Sequence, residues 1–536
     1  IRERLGKELL FFDGAMGTMI QRCRLTEDDF RGEEFRDHTV KLQGNNDMLV
    51  LTRPDIIASI HRQYLEAGAD IIETDTFNAQ AVSQAEYHTE SLVRRINMAA
   101  ARIARAEADR MTALTPHKPR YVAGSVGPTG KTSSMSPDVE NPAFRAIDFD
   151  TLRAAYAEQM EALLDGGVDL LLIETVFDTL NAKAALDAAE QAFMKAGRGV
   201  PIMLSATIAD AAGRTLSGQT VEAFLISVSH APLFSVGLNC SFGAAQMTPF
   251  LRELAHAAPC HVSVHPNAGI PDAMGQYDQT PEMMARDIRR FVDEGLVDIV
   301  GGCCGSTPEH IRAIADAVAT PPAKRHTAGA SRGWLAGLDE FDPAGAFINV
   351  GERCNVAGSR KFLRLIKEKA YDEALGIARK QVRDGAMILD VNMDDAMLDT
   401  RAEMIHFLNL MASDPEVARL PWMIDSSRFK VIEAALKCIQ GKPIVNSLSL
   451  KEGEETFLKR ARRVRELGAA LVVMAFDEQG QAVTFERKIE VCARAYRLLT
   501  EQAGFDPRDI IFDPNVLTIA TGMKEHDAYA LDFIRA

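Results

Sequence analysis

Over residues 1–320 the hydrophobic and polar positions repeat one unit. A short apolar run ends on polar or small residues, and an amphipathic stretch of helical period follows. The apolar runs are LLFFDGA, MLVLT, DIIETDTF, YVAGSVG, LLLIET, PIMLSAT, SVGLNC, HVSVHPNA and DIVGGCC. The helical stretches between them, such as PDIIASIHRQYLEAG and TPEMMARDIRRFVDEG, close on glycine, a usual helix stop. Strands that alternate with helices form a parallel sheet. About eight such units in about 300 residues fit a (β/α)8 barrel better than an open sheet. Nine runs is one too many, so one of them is expected to be an accessory strand.

The rhythm pauses over residues 321–345, which are rich in Pro, Gly and Ala and show no period, and it resumes at AFINVGERCN. Six further strands are expected in FINVG, AMILDVN, WMIDSS, PIVNSLS, ALVVMAF and IIFDPNV. The fold class is therefore α/β with two TIM-type (β/α)8 barrels, the second incomplete at the C-terminus of this chain. The domains are expected at 1–320 and 346–536, with 321–345 as a linker. The start at Ile1 and the stop in FIRA point to a trimmed chain.

In the first barrel the polar residues fall at the C-terminal ends of the strands, the face on which such barrels build active sites. They include Asp13, Glu73, Asp75, Asn78, Ser125, Glu174, Asp178, Asn239, Cys240, His265, Asn267, Cys303 and Cys304. The last two are adjacent in VGGCCGS. Neighbouring side chains on a strand face opposite ways, so both thiols reach one ion only where the chain leaves the strand. Gly301, Gly302 and Gly305 permit that bend. With Cys240 in GLNCSFG they make three thiols and no fourth Cys or His, the ligand count of a zinc that keeps one position for substrate. The rival reading is a strained, redox-active vicinal disulfide. Cys23, Cys260, Cys354, Cys438 and Cys492 lack this glycine-framed setting and read as buried apolar thiols.

The net charge of −15 argues against nucleic acid as a partner. No apolar run approaches the length of a membrane helix, and IRERLGKELL reads as an amphipathic helix, not a signal peptide. Eight cysteines are too sparse for a disulfide scaffold, so a cytoplasmic location is expected. The basic run Lys459, Arg460, Arg462, Arg463 and Arg465 reads as a solvated helix face, with a dock for an anionic substrate tail as the alternative.

FFDGAMGTMIQ, GLNCSFG and VGGCCGSTPEHI together resemble the homocysteine S-methyltransferase family over about residues 1–320. The resemblance implies that Cys240, Cys303 and Cys304 hold Zn2+ and that homocysteine's thiol takes the fourth position. It makes Asp13, with the Gly14–Ala15 backbone, and Glu174 the candidates for the amino acid end of homocysteine, with Ser125 and Asp178 weaker ones. The alternative for Glu174 is a rim carboxylate paired with a Lys or Arg. Metal coordination would strip the thiol of its proton, which a free thiol mostly keeps at neutral pH.

FINVGERCNVAGSRKF, followed by DVNMD, DSS, NSLS and DPN at successive strand ends, resembles the pterin-binding family. Its pattern implies a methyltetrahydrofolate pocket of Gly358, Ser359, Arg360, Asp425, Asn446 and Asp513, supported by Asp390, Asn392 and Asn515. Asp and Asn suit a pterin edge of alternating donors and acceptors. The bland alternative is that the acids cap helices, Asp425 above all. The two halves together resemble the N-terminal half of the cobalamin-dependent methionine synthase family, which implies 5-methyltetrahydrofolate as methyl donor and cobalamin as carrier. No D-x-H-x-x-G-type segment is present, so cobalamin would sit on a corrinoid domain or protein outside this sequence. Two other readings stand beside this one: a homocysteine methyltransferase fused to a methylenetetrahydrofolate reductase-like barrel, and a non-catalytic zinc scaffold.

Overall fold

The computed structural model describes residues 1–5, 7–272, 275–318, 334–342, 347–518 and 523–536. It resolves into two compact units, the first of residues 1–132, 147–225 and 232–331, the second of 133–146, 226–231 and 332–536.

The first unit holds eight parallel strands: β1 (Leu10–Phe11), β2 (Ile71–Glu73), β3 (Tyr121–Val126), β4 (Leu170–Val176), β5 (Ile202–Ala206), β6 (Ser235–Gly243), β7 (His261–Asn267) and β8 (Ile299–Val300). From β2 to β8 each pairs with its sequence neighbour, and β1 pairs with β8. A parallel bridge between Phe12 and Ile71 joins the first strand to the second, so the sheet curls into a TIM-like barrel. Inward residues Leu10, Phe12, Ile71, Ala123, Leu170, Leu172, Met203 and Ile299 pack the interior, and Leu5 of the short helix Arg2–Leu5 joins them. Among the described residues of IRERLGKELL, only Arg2–Leu5 are helical.

MLVLT is no accessory strand. It forms the helix Leu49–Thr52, after a 3-10 turn over Asn46–Met48, with Leu49 and Val50 buried. An unbroken apolar run of five residues has no period to distinguish strand from helix. Here the run packs on the helices Pro54–Ala67 and Val93–Leu114.

Of residues 321–345, only 334–342 are described. They form a hairpin of β9 (Leu335–Ala336) and β10 (Glu340–Phe341), and the remainder of the expected linker lies outside the described residues. In the second unit β11 (Val350–Asn355), β12 (Ile388–Asn392), β13 (Trp422–Asp425), β14 (Ile444–Leu448) and β15 (Ala470–Met474) run parallel in sequence order. After the small hairpin β16 (Phe476–Asp477) and β17 (Gly480–Gln481), β18 (Ile510–Asp513) pairs with β15. This is a six-stranded, incomplete barrel. Leu335 of the hairpin packs with Ile388, Ile444 and Ala470 where their strands begin, and plugs that end. The functional residues must therefore use the opposite end, where the strands finish. The basic run lies on the helix Glu454–Glu466, with Arg460 paired to Glu452 and Arg463 to Glu433 at its surface.

Candidate metal centre and pterin pocket

At the carboxyl ends of β6 and β8 the three cysteines meet. Their sulfurs lie within 4.8 Å of one another, and Cys240 and Cys304 are 3.8 Å apart. Two Zn–S bonds of about 2.3 Å at a tetrahedral angle separate their sulfurs by about 3.8 Å. The thiols thus stand at the spacing a shared zinc would impose. No fourth His, Cys, Asp or Glu joins the group among the described residues. All eight cysteines are free thiols, so the vicinal pair is not a disulfide.

The backbone does the work of convergence. The register of β6 against β7 breaks between Asn239 and Gly243, and Cys240 and Ser241 take φ of 61° and 60°. Left-handed non-glycine residues cost energy and are retained where a side chain must be aimed. On the partner segment the glycines also have a packing role, beyond the bend that the sequence analysis gave them. A Cβ on Gly301 would stand 2.7 Å from Phe12 Cβ, and one on Gly302 would stand 2.4 Å from Ser306 Oγ. Gly305 alone of the three needs positive φ, at 81°.

Electrostatically the trio is short of cations. Hydrogen bonds from Cys240 and then Cys303 draw the Cys304 thiol down to about 3. The Cys303 thiol is pushed well up by Cys240, then by Cys304 and burial. Contact with Cys303 draws Cys240 down, but Cys304 and burial outweigh it and leave it at about 11. Coordination to a cation is what would let all three ionise together. The hydroxyl of Tyr277 supports Cys304, and Asn239 Nδ2 lies 3.9 Å from Cys303 Sγ. Sequence reasoning assigned neither residue a role.

Beside the sulfurs lies a nest of buried acids. Ser125 Oγ donates to Glu174 Oε1 at 2.5 Å, and Glu73 shares a hydrogen bond with Glu174. Burial raises Glu174 to about 7 and pushes Glu73 and Asp13 well above the usual carboxylate range. Glu73 is raised by burial first, then by the charges of Glu174 and Asp13. Asp13 Oδ2 accepts the Glu73 N–H at 3.0 Å, while Oδ1 is buried without a partner. None of the three has a Lys or Arg partner among the described residues, so Glu174 is not half of an ion pair.

The cradle around Asp13 is tight. A Cβ on Gly14 would stand 2.8 Å from Ser306 Oγ, and the Ala15 N–H already donates to that oxygen at 3.2 Å. His265 stacks on Phe12 at 4.5 Å and is lowered to about 4 by burial, so it stays neutral. Asp178 caps the helix Thr179–Ala196 through the Leu180 and Asn181 N–H groups. Of the other thiols, Cys354 is buried, Cys260, Cys438 and Cys492 are only partly buried, and Cys23 is exposed at a helix end, so the buried reading holds fully for Cys354 alone and fails for Cys23.

In the second unit the strand ends line up in one row. Asn355 pairs in register with Asn392, Asn392 with Asp425, and Asp425 with Asn446. Asn392 Nδ2 donates to Asp425 Oδ2 at 2.9 Å. Asp390, two residues before Asn392 and so on the same face, keeps Oδ2 buried without a partner. Burial, then the charge of Asp425, raises Asp390 to about 7; burial also raises Asp425.

Asp425 is not a helix cap. The following helix, Phe429–Leu436, starts at Arg428 with no side-chain cap, and Asp394 holds the turn by accepting from Ser426 Oγ and from Ser427 N and Oγ. Gly358 and Ser359 lie in the turn after β11, where Asn355 Oδ1 accepts the Gly358 N–H at 3.0 Å. Ser359 Oγ caps the helix Arg360–Lys367, and Arg360 is exposed at its first position. Asp513 and Asn515 stand at the end of β18, Asn515 Oδ1 buried without a partner. Sequence reasoning missed Asn355 and Asp394, both polar residues at strand ends whose turn chemistry shows only in three dimensions.

Residues 10–318 match the family model of homocysteine S-methyltransferases, and residues 351–536 match that of pterin binding enzymes. Among solved structures, the metallated homocysteine methyltransferase MmuM of Escherichia coli is 22% identical over 59% of this chain and 98% of its own, with a TM-score of 0.46. A B12-independent methionine synthase from Shewanella sp. W3-18-1 is 15% identical over 58% of this chain and 96% of its own, with a TM-score of 0.33. Likenesses at that level carry no argument, and the family models do. The first of them spans more than half of the chain. The protein belongs to the homocysteine S-methyltransferase family and is a methyltransferase acting on homocysteine.

Proposed function

We propose that the chain makes methionine by two methyl transfers, from 5-methyltetrahydrofolate to a corrinoid in the second unit and from that corrinoid to homocysteine in the first. The reading is carried by one observation: a three-thiol cluster with no fourth His, Cys, Asp or Glu among the described residues and a row of Asp and Asn at strand ends occur in one chain. Zinc held by Cys240, Cys303 and Cys304 would supply the Lewis acidity that deprotonates homocysteine's thiol and keeps its sulfur nucleophilic.

The protein's own groups do the rest. Glu174 and Asp13 would accept from the substrate ammonium, whose positive charge favours ionising acids that burial otherwise holds neutral. In the second unit Asp390 and Asp425 accept from the pterin's ring N–H and amino groups, and Asn392 and Asn446 match its mixed edge. Cobalamin, on a corrinoid domain or protein, would carry the methyl between the two sites; release of the methyl from folate requires a proton at N5, and its arrival on homocysteine forms a carbon–sulfur bond. The cytoplasm is the compartment that three free thiols require. No helix among the described residues is long and apolar enough to cross a membrane.

The test is to run the half-reactions separately: methylcobalamin with homocysteine, and methyltetrahydrofolate with cob(I)alamin. Cys303→Ala should abolish the first and spare the second. Loss of both, or of neither, overturns the division of labour. A protein that retains zinc through four of its own side chains, with no homocysteine sulfur joining it, would overturn the catalytic reading.

A further inference from the structure

The second unit buries a lysine that the reaction does not call for. Lys488, on the helix Phe485–Arg497, is 0% exposed, and no carboxylate lies within ion-pair distance of its ammonium among the described residues. A buried charge is costly unless it is paired or fully hydrogen-bonded. Here its three N–H donors are all spent on backbone carbonyls: Ala482 at 3.0 Å, Asn515 at 3.1 Å, and Pro514. Two of the three belong to the turn that ends β18.

That turn carries two of the candidate pterin residues. Asn515 sits at φ 59°, in the left-handed region, and is 4% exposed. Its N–H donates to Asp513 Oδ1 at 2.9 Å, and its Nδ2 donates to Ala475 O at 2.5 Å. Its Oδ1 is left without a partner. A planar trans peptide points its N–H away from its C=O. The Pro514–Asn515 peptide thus has Lys488 at its oxygen and Asp513 at its hydrogen, and a charge at one end polarises the bond at the other. The ammonium therefore sets the turn's conformation and strengthens the hold on the Asp513 carboxylate. The Asn515 carboxamide oxygen stays buried and unspent beside it, ready to accept.

Resting on the reading of this unit as a pterin pocket, we propose that Lys488 is a positioning residue for it. Through the Pro514–Asn515 turn it fixes Asp513 and Asn515 at the geometry the ring edge of the folate requires. Lys488 itself touches no ligand in this scheme.

The test is titration of the full chain with tetrahydrofolate, read by calorimetry under anaerobic conditions, with melting temperature as a check on folding. Lys488→Met should raise Kd roughly tenfold, the size expected when a charged hydrogen-bond network is lost. In an Asn515→Ala background the same change should cost under about threefold, because residues that act through one another are not additive. A Kd within twofold of the parent, or equal fold-losses in both backgrounds, overturns the proposal. Should Lys488→Met fail to fold, Lys488→Gln, which keeps two N–H donors without the charge, is put through the same cycle against the same criteria. A parent chain that binds no tetrahydrofolate overturns the pterin reading and this proposal with it. Binding by the parent and unchanged binding by the variants overturns the proposal alone.

Discussion

The two sets of strand ends reach their chemistry by different means. In the second unit the register breaks on β11 between Gly351 and Cys354 and on β14 between Asn446 and Leu448, but between those breaks the pairing sets Asn355, Asn392, Asp425 and Asn446 side by side. In the first unit the register must fail: β6 breaks after Asn239 and β4 between Ile173 and Val176, with Thr175, Cys240 and Ser241 at positive φ. A flat, extended ligand edge is met by a row of side chains spaced as strands are. A single ion demands that three sulfurs converge on a point, which no extended strand allows.

The largest effect expected from this contrast is on the sulfur cluster. Cys304→Ser should lower homocysteine methylation on the order of a thousandfold or more, since a lost ligand forfeits much of the metal's binding energy. Tetrahydrofolate affinity should not change. Zinc content by elemental analysis, with calorimetric titration of folate on the same sample, checks both halves. A drop in both would mean that the two sites are not independent.

Next comes the in-register row. Asp425→Ala should weaken tetrahydrofolate binding by roughly 10- to 100-fold, the worth of a charge-assisted hydrogen bond plus an orphaned Asn392 amide. Zinc retention should be untouched. A loss under threefold would say that the row is structural.

The third prediction uses pH. Burial holds Asp390 at about 7, above its unfolded value. The folded state therefore binds the proton more tightly than the unfolded state, and stability falls as pH rises from about 4 through 7. Asp390→Asn removes that penalty, so the variant should melt higher than the parent at pH 8 and show little gain at pH 4. Folate binding should move the other way. An ionised Asp390 accepts from the pterin, so the parent should bind more weakly as pH drops through 7, and the variant should bind weakly with no such slope. Calorimetric melts and binding titrations across that range give both signs.

The barrels and the thiol trio were legible for a shared physical reason. Strands and helices leave periods in the sequence, and a GGCCG segment is too constrained by close packing to pass for anything ordinary. Gly301 and Gly302 are there because Phe12 and Ser306 leave no room for a Cβ. MLVLT was misread because five unbroken apolar residues carry no period. Glu73 was placed among the strand-end residues but given no role, since its partnership with Glu174 depends on two strands separated by about a hundred residues coming to one rim. Lys488 left no signal at all: it is one lysine on a helix otherwise rich in exposed charge, and only the fold reveals that it points inward.

Ser359 gives the smallest and sharpest test of where the row ends. The sequence resemblance makes it a folate residue, whereas the structure gives its hydroxyl to the Phe362 N–H as a helix cap. A cap lost to alanine costs about 1 kcal/mol of stability, because one of the helix's orphan N–H groups goes unpaired. A ligand lost would show instead in Kd. Ser359→Ala is therefore expected to lower the melting temperature by a few degrees while changing tetrahydrofolate affinity less than about twofold. Ser359→Asp, which caps equally well and adds a charge favoured at a helix N-terminus, should restore the melting temperature. If it also leaves affinity intact, the pocket stops at Asn355 and the turn beyond serves the helix. If alanine costs affinity and aspartate fails to restore it, the hydroxyl belongs to the pocket, and recognition extends past the in-register row into the loop.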